Sequence, residues 1–258
     1  MKEFLIKETG YVIRYHDLPG KERPIIFIHG LGCASSFDFP EVAAQDSLRN
    51  HRRILVDLLG AGYSEKPEQF TYTVEDHAAY LLEFIRFLDL GSFILFGHSL
   101  GGAVALVLAD QCRDNLHHVI LSEPNLDRSS EDSASKYIAD FELQEFINQG
   151  FHKLVKDSDS SGNGMWAASL SVWLPKAAYL ISKAAAAGGK PAWRDLLYSL
   201  NCFRTVIFGE KSLPDPDMQI LMEQGVRTEV VKDAGHSMAW ENPKGLAAAI
   251  SMAIQSGE

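Results

Sequence analysis

The chain alternates between short apolar runs and longer stretches with apolar residues at helical spacing. Unbroken apolar runs predict buried strands at residues 24–30, 52–60, 92–99, 117–124, 204–210 and 227–236. Two shorter strands, at residues 3–7 and 11–16, are predicted ahead of them, with a turn at Thr9–Gly10. Strands that alternate with helices indicate an α/β fold, here an eight-stranded, mostly parallel sheet with helices on both faces.

Three helices are predicted between these strands. Residues 74–90 carry apolar side chains at helical spacing, and Thr73 followed by Asp76 predicts a capping box at the start of this helix. Residues 99–112 predict a second helix that begins with small residues, and residues 242–255 predict a third.

The alternation stops between residues 126 and 199, where the pattern is helical and strands are scarce. We therefore predict a core formed by residues 1–125 and 200–258, with residues 126–199 inserted as a helical cap. The aromatic residues of the cap are candidates to line a pocket, although most are expected to pack inside the cap itself. They are Tyr137, Phe141, Phe146, Phe151, Trp166, Trp173, Tyr179 and Trp193.

Composition narrows the choice of partner. The formal net charge of −10 argues against nucleic acid or an anionic membrane surface and leaves a small molecule as the expected partner. Three widely spaced cysteines form no CxxC pair, and the chain has no HExxH or GxGxxG motif, so no metal and no cofactor are predicted. The first twenty residues do not resemble a signal peptide and no apolar run is long enough to span a membrane, so a cytoplasmic location is expected. The expected oligomeric state is a monomer or a homodimer.

The segment "FILFGHSLGG" carries the strongest chemical signal. It places Gly97-x-Ser99-x-Gly101 between a predicted strand and a predicted helix. A serine at such a sharp turn is exposed at the end of its strand, and small residues two places on either side let strand and helix approach closely. This context makes Ser99 a candidate nucleophile, because GxSxG alone is a weak motif.

Four segments in this order resemble the α/β-hydrolase family over essentially the full chain. They are "FIHGLG" (27–32), "DLLGAGYS" (57–64), "GHSLGG" (97–102) and "DAGHSMAWENP" (233–243). The resemblance implies the α/β-hydrolase fold and a serine hydrolase without a cofactor. It also implies that Ser99 is the nucleophile, that His236 is its base, and that the backbone N–H groups of Leu31 and Leu100 form the oxyanion hole.

The third catalytic residue departs from the family pattern. Most relatives carry an aspartate three residues after the glycine that ends the seventh strand, and Ser212 stands at that position here. A hydroxyl cannot supply the negative charge that stabilises an imidazolium. Glu123 matches the alternative position after the sixth strand, which haloalkane dehalogenases use, and we predict that Glu123 completes the triad. Asp215 and Asp217 remain alternative acids.

These residues predict a carboxylesterase-like enzyme that cleaves a small ester through an acyl-enzyme. A C–C bond hydrolase or a lactonase using the same triad stays open, as does a ligand receptor with little turnover. Dehalogenation is disfavoured because it requires an aspartate at the position of Ser99.

Overall fold

The computed structural model describes residues 1–257. All eight predicted strands form. They are β1 (Lys2–Leu5), β2 (Val12–Leu18), β3 (Glu22–Ile28), β4 (His51–Val56), β5 (Phe93–His98), β6 (Leu116–Ser122), β7 (Phe203–Gly209) and β8 (Arg227–Val231).

One sheet contains these strands in the order β1-β2-β4-β3-β5-β6-β7-β8. The β1–β2 and β2–β4 pairs are antiparallel, and every pair from β4 across to β8 is parallel. The carboxyl ends of β3, β5, β6, β7 and β8 therefore meet at one edge of the sheet, where open α/β sheets place their functional groups.

Thirteen α-helices connect and cover the strands within residues 1–257. They are α1 (Ser35–Asp38), α2 (Pro40–Ala43), α3 (Val74–Phe87), α4 (Leu100–Gln111), α5 (Ala134–Ala139), α6 (Leu143–Glu145), α7 (Phe151–Ser160), α8 (Gly164–Leu170), α9 (Pro175–Ala187), α10 (Trp193–Ser199), α11 (Pro216–Glu223), α12 (Met238–Glu241) and α13 (Pro243–Gln255). Thr73 is the N-cap residue of α3 as predicted, because the Asp76 N–H donates to Thr73 Oγ1 at 3.0 Å.

Several elements are shorter than the sequence predicted. The predicted strand 52–60 ends at Val56, because the following Asp57 carboxylate accepts the Ser36 and Tyr63 N–H groups and draws the chain out of the sheet. The strand predicted to reach residue 236 ends at Val231, just before Asp233 turns the backbone at φ 56°.

Each face of the sheet buries its own apolar core. Along β3, Ile26 and Ile28 belong to one core, whereas Ile25 and Phe27 belong to the other. This alternation follows from the two-residue period of a strand, with both faces covered by helices. The sheet edge is thus held by packing on both sides.

Helices α5 to α10 lie between β6 and β7, within residues 126–199, which we call the helical insertion. Most of its aromatic side chains pack inside it as expected, including Phe146, Phe151, Tyr179 and Trp193, which are buried. Of residues 1–257, no helix combines the length and the apolar character that crossing a membrane requires.

Candidate active site

Ser99 lies at the sharp turn between β5 and α4. Its backbone adopts φ 51° and ψ −124°, a conformation that is strained for a residue with a side chain. The Ser99 N–H donates to the Ser122 carbonyl at 3.0 Å, and the Ser99 carbonyl accepts the Gly102 N–H at 2.8 Å. These bonds hold the strained turn and leave the side chain facing a cavity at the sheet edge.

The flanking glycines are required by close backbone contacts. A Cβ atom at Gly97 would lie 2.8 Å from the Gly101 carbonyl oxygen, and one at Gly101 would lie 2.3 Å from the His29 carbonyl oxygen. Both distances are too short for a side chain, which explains why glycine stands two residues on either side of Ser99.

His236 lies in the loop after β8 and contacts Glu123, which directly follows β6. The His236 Nδ1 to Glu123 Oε2 distance is 2.7 Å. The His236 side chain is 55% exposed and that of Glu123 is 12% exposed. With Nδ1 donating to the carboxylate, Nε2 is the ring nitrogen that remains to accept a proton.

Glu123 is held from the end of the neighbouring strand. Its backbone, at φ 38°, donates an N–H to the Ile207 carbonyl at 3.0 Å, and its Oε1 accepts the Gly209 N–H at 2.8 Å. Burial raises the pKa of Glu123, but the hydrogen bonds from His236 and Gly209 outweigh it and the pKa is lowered, with a smaller contribution from the Ser212 hydroxyl. Glu123 is therefore a carboxylate at neutral pH.

The carboxylates of Asp215 and Asp217 accept hydrogen bonds from groups other than His236. The Asp215 carboxylate caps α11 by accepting the Asp217 N–H at 2.8 Å. Asp217 Oδ2 accepts a hydrogen bond from the Arg194 guanidinium of α10, also at 2.8 Å. The carboxylate in contact with His236 is that of Glu123.

Leu31 and Leu100 line the same cavity as Ser99 and His236. Leu100 is the first residue of α4, where an N–H group has no partner within the helix and the helix dipole favours negative charge. The Leu31 N–H belongs to a peptide whose Gly30 carbonyl accepts both the His29 ring at 2.9 Å and the Cys33 N–H at 3.2 Å. That carbonyl is thereby fixed, and so is the opposed Leu31 N–H.

The two histidines that flank these groups are structural rather than titrating. The His29 Nε2 accepts the Leu58 N–H at 3.0 Å, so its Nδ1 carries the proton donated to Gly30. Burial lowers the pKa of His29, and it lowers the pKa of His98 to about 3. The His98 ring packs against the His236 ring with centroids 4.8 Å apart and the ring planes tilted by 44°, so the neighbour of His236 is a neutral ring.

The cavity has a volume of about 370 Å³. Besides Leu31, Ser99, Leu100 and His236, it is lined by Trp166 and Asn125, together with small polar residues. Apart from His236, none of the lining residues within 1–257 has an ionisable side chain. A group of metal-ligating residues is likewise absent from that range.

The sequence names Trp166 and Trp173 as candidates to line a pocket, but it does not predict that these two tryptophans contact the Leu31 loop. Trp166 donates its indole N–H to the Leu31 carbonyl at 2.8 Å, and Trp173 donates to the Cys33 carbonyl at 2.8 Å. The contacts join residues more than 130 positions apart in the chain, and no local motif signals them.

Comparison with known proteins shows matches to hydrolases. The 2-hydroxy-6-oxo-2,4-heptadienoate hydrolase of Pseudomonas putida is 28% identical over 118 residues, which cover 45% of this chain and 42% of that enzyme. The chain thus spans less than half the length of the curated relatives it matches.

Solved structures superpose over nearly the whole chain. An esterase from Thermogutta terrifontis aligns with a TM-score of 0.81 at 21% identity, covering 99% of this chain and 98% of that one. The enol-lactonase from Burkholderia xenovorans LB400 aligns with a TM-score of 0.78 at 18% identity, covering 98% and 100%. At these identities the likeness establishes the fold.

A model of the alpha/beta hydrolase family matches residues 25–249. This range includes the Ser99 turn, Glu123 and His236, and its fold agrees with the sheet order described above. Because the match covers most of the chain, the protein belongs to the alpha/beta hydrolase family.

Proposed function

We propose that this protein is a serine hydrolase that cleaves small esters through an acyl-enzyme, using Ser99, His236 and Glu123. The observation that carries the proposal is the 2.7 Å hydrogen bond between His236 Nδ1 and Glu123 Oε2, together with a cavity that both His236 and Ser99 line. A serine, an imidazole and a carboxylate in this arrangement are the parts that acyl transfer requires.

In the acylation step, Ser99 Oγ attacks the ester carbonyl carbon while His236 Nε2 takes the hydroxyl proton. The carbonyl oxygen becomes an oxyanion, which the N–H groups of Leu31 and Leu100 stabilise. Glu123 stabilises the imidazolium and keeps the proton of the neutral ring on Nδ1. His236 then returns its proton to the departing alkoxide, the bond to the alcohol oxygen breaks, and an acyl-serine remains.

In the deacylation step, water takes the place of the alcohol. His236 removes a proton from the water as its oxygen attacks the acyl carbon, and the same two N–H groups stabilise the second oxyanion. Collapse of this intermediate breaks the bond to Ser99 Oγ, which regains a proton from His236. The free carboxylic acid leaves.

The lining of the cavity favours a small, uncharged substrate. A volume of about 370 Å³ lies near the lower end of the range for ligand pockets. Apart from His236, the lining residues described within 1–257 offer no cation to pair with a charged acyl group, while Trp166 and Leu31 provide apolar contact. Lactone hydrolysis is the second candidate, because it uses the same steps and because the enol-lactonase noted above shares the fold over 98% of this chain.

The test compares wild-type protein with Ser99→Ala on p-nitrophenyl acetate and butyrate. We expect multiple turnovers by the wild type and a loss of at least about 10⁴-fold in kcat for the variant, because the nucleophile is gone. Labelling by a fluorophosphonate probe should disappear with it. The circular dichroism spectrum should stay unchanged, since alanine is no larger than serine at this turn.

Ser92→Ala is the matched control, since Ser92 is an exposed serine that precedes β5. It should label and turn over as the wild type does. A ligand receptor would bind such esters without multiple turnovers, and a Ser99→Ala protein that still labels would show that the nucleophile lies elsewhere.

A further inference from the structure

The loop that presents the Leu31 N–H is a tight turn of defined type. The Cys33 N–H donates to the Gly30 carbonyl at 3.2 Å, which closes a four-residue turn with Leu31 and Gly32 at its centre. Gly32 has φ +73°, the value expected at the third position of a type II turn. A type I turn differs by a flip of the central peptide, which here joins Leu31 to Gly32.

The helical insertion bonds to this turn at two carbonyl groups. The Trp166 indole N–H, from α8, donates to the carbonyl of the central peptide at 2.8 Å. The Trp173 indole N–H donates to the Cys33 carbonyl, also at 2.8 Å, and its side chain is 5% exposed. The Trp166 bond depends on the type II orientation, because a flip of the central peptide would turn the Leu31 carbonyl away.

Two features of the turn explain why glycine stands at position 32. Its positive φ favours glycine, and a Cβ atom there would lie 2.5 Å from Trp166 Nε1. The indole therefore packs directly against the turn backbone. Next to it, the Leu174 N–H donates to the Gly60 carbonyl at 2.9 Å, which fixes the segment that carries Trp173 to the loop after β4.

We propose that Trp166 and Trp173 of the helical insertion are positioning residues. They hold the turn formed by residues 30–33, which we call the oxyanion turn, in its active orientation. The inference rests on the proposed role of Leu31 N–H as an oxyanion donor. Together the two indole N–H groups hold two carbonyl groups of the turn that carries the Leu31 N–H, so without them the turn is less constrained and the stabilisation of the developing negative charge would fall. The insertion thus contributes to catalysis as well as enclosing the substrate.

The test uses Trp166→Phe and Trp173→Phe, which keep an aromatic ring and remove the N–H donor. We expect kcat for p-nitrophenyl acetate to fall about tenfold in each variant, a fraction of what losing a whole oxyanion donor costs, with little change in KM. The inhibition constant of phenylboronic acid should rise by a similar factor, because its tetrahedral serine adduct places an oxygen in the same hole.

Trp193→Phe is the matched control. Trp193 is a buried tryptophan of the insertion whose Nε1 has no hydrogen-bond partner among the described residues, so the same exchange removes no bond. Its kcat and its affinity for phenylboronic acid should match those of the wild type. Melting curves of all three variants show which of them fold.

The two results that would overturn the inference are distinct from failure of the proposed function. Folded Trp166→Phe and Trp173→Phe proteins with wild-type kcat and boronic acid affinity would overturn it. A rise in KM alone for Trp166→Phe would overturn it too, because that result describes a substrate contact. If the wild type shows no ester turnover, the proposed function fails, and the boronic acid affinities of the variants still decide the role of the two indoles.

Discussion

At the scale of single residues, Glu123 has two carboxylate oxygens and each accepts from a different donor. Oε1 accepts the Gly209 backbone N–H at 2.8 Å and Oε2 accepts from His236 Nδ1 at 2.7 Å. The backbone donor cannot move without distorting the end of β7, so it dictates which oxygen is left for the histidine. This division determines what a glutamine would do at the same position.

We expect Glu123→Gln to lower kcat by about 10⁴-fold. Gly209 N–H needs an acceptor, so the glutamine oxygen should take that bond and place its NH₂ group against His236. Nδ1 would then have to accept, which moves the proton to Nε2 and leaves no base for Ser99. The equivalent charge-removing change in a serine protease costs a factor of this order. Initial rates with p-nitrophenyl butyrate measure the effect.

Glu223→Gln provides the control, because Glu223 is an exposed residue at the end of α11 whose carboxylate bonds only to the Gln219 side chain in the part of the chain described here. It should leave kcat unchanged. Retention of most activity by Glu123→Gln would assign the third catalytic role to a different group.

At the scale of elements, the loop after β7 and helix α11 hold the other two carboxylates that the sequence offered. Asp215 is the N-cap of α11, and Asp217 joins that helix to Arg194 of α10. The Arg194–Asp217 contact joins the helical insertion to the core, whereas the Asp215 contact lies at the start of α11 itself. The Arg194 partner of Asp217 could not be inferred from the local sequence, since it lies 23 residues earlier in the chain.

We therefore expect Asp215→Asn and Asp217→Asn to keep kcat within about twofold of the wild type. Asparagine is nearly as good an N-cap as aspartate, so Asp215→Asn should change the free energy of unfolding by less than about 1 kcal/mol. Asp217→Asn loses an ion pair whose carboxylate is 35% exposed, which is also worth about 1 kcal/mol or less. Urea unfolding and ester assays on the same preparations measure both. A large loss of turnover in either variant would contradict the assignment of Glu123.

The elements themselves were largely predictable from the sequence. Alternating apolar runs and helical patterns predicted the eight strands. The glycine spacing around Ser99 reflects close contacts with the Gly101 carbonyl inside the strand-to-helix turn and with the His29 carbonyl of the neighbouring loop. The ends of strands were less predictable. The Asp57 carboxylate that follows β4 accepts the N–H groups of Ser36, earlier in the chain, and of Tyr63, later in the chain. The tryptophan contacts to the oxyanion turn were not predictable, since they join the insertion to a loop far away in sequence.

At the scale of the whole molecule, the loops at the sheet edge enclose a buried carboxyl group, that of Asp38 in α1. Asp38 is 4% exposed, and its Oδ2 accepts the Ala34 N–H at 3.0 Å, just beyond the oxyanion turn. Its Oδ1 has no hydrogen-bond partner within residues 1–257. Burial raises the pKa of Asp38 to about 8, against the Cys33 thiol and the Ala34 N–H, which lower it, and the nearby Asp57 adds a smaller rise.

This carboxyl makes the stability of the fold depend on pH. Asp38 keeps its proton in the folded protein up to about pH 8, whereas in the unfolded chain it loses the proton near 3.8. The folded state binds the proton more tightly, so the free energy of unfolding falls as pH rises between these values and levels off above about 8. The slope can reach about 1.4 kcal/mol for each pH unit.

Asparagine at position 38 imitates the protonated carboxyl and cannot ionise. We expect Asp38→Asn to differ least from the wild type near pH 4 and to become increasingly more stable than it as the pH approaches 8, because only the wild type loses stability over that range. Urea unfolding of both proteins at unit intervals from pH 4 to 9 measures the difference. Asp46→Asn is the control, since the Asp46 side chain is 92% exposed and should give a difference that does not change with pH. A constant difference for Asp38→Asn as well would show that Asp38 is ionised in the folded protein and that its environment offers a donor to Oδ1.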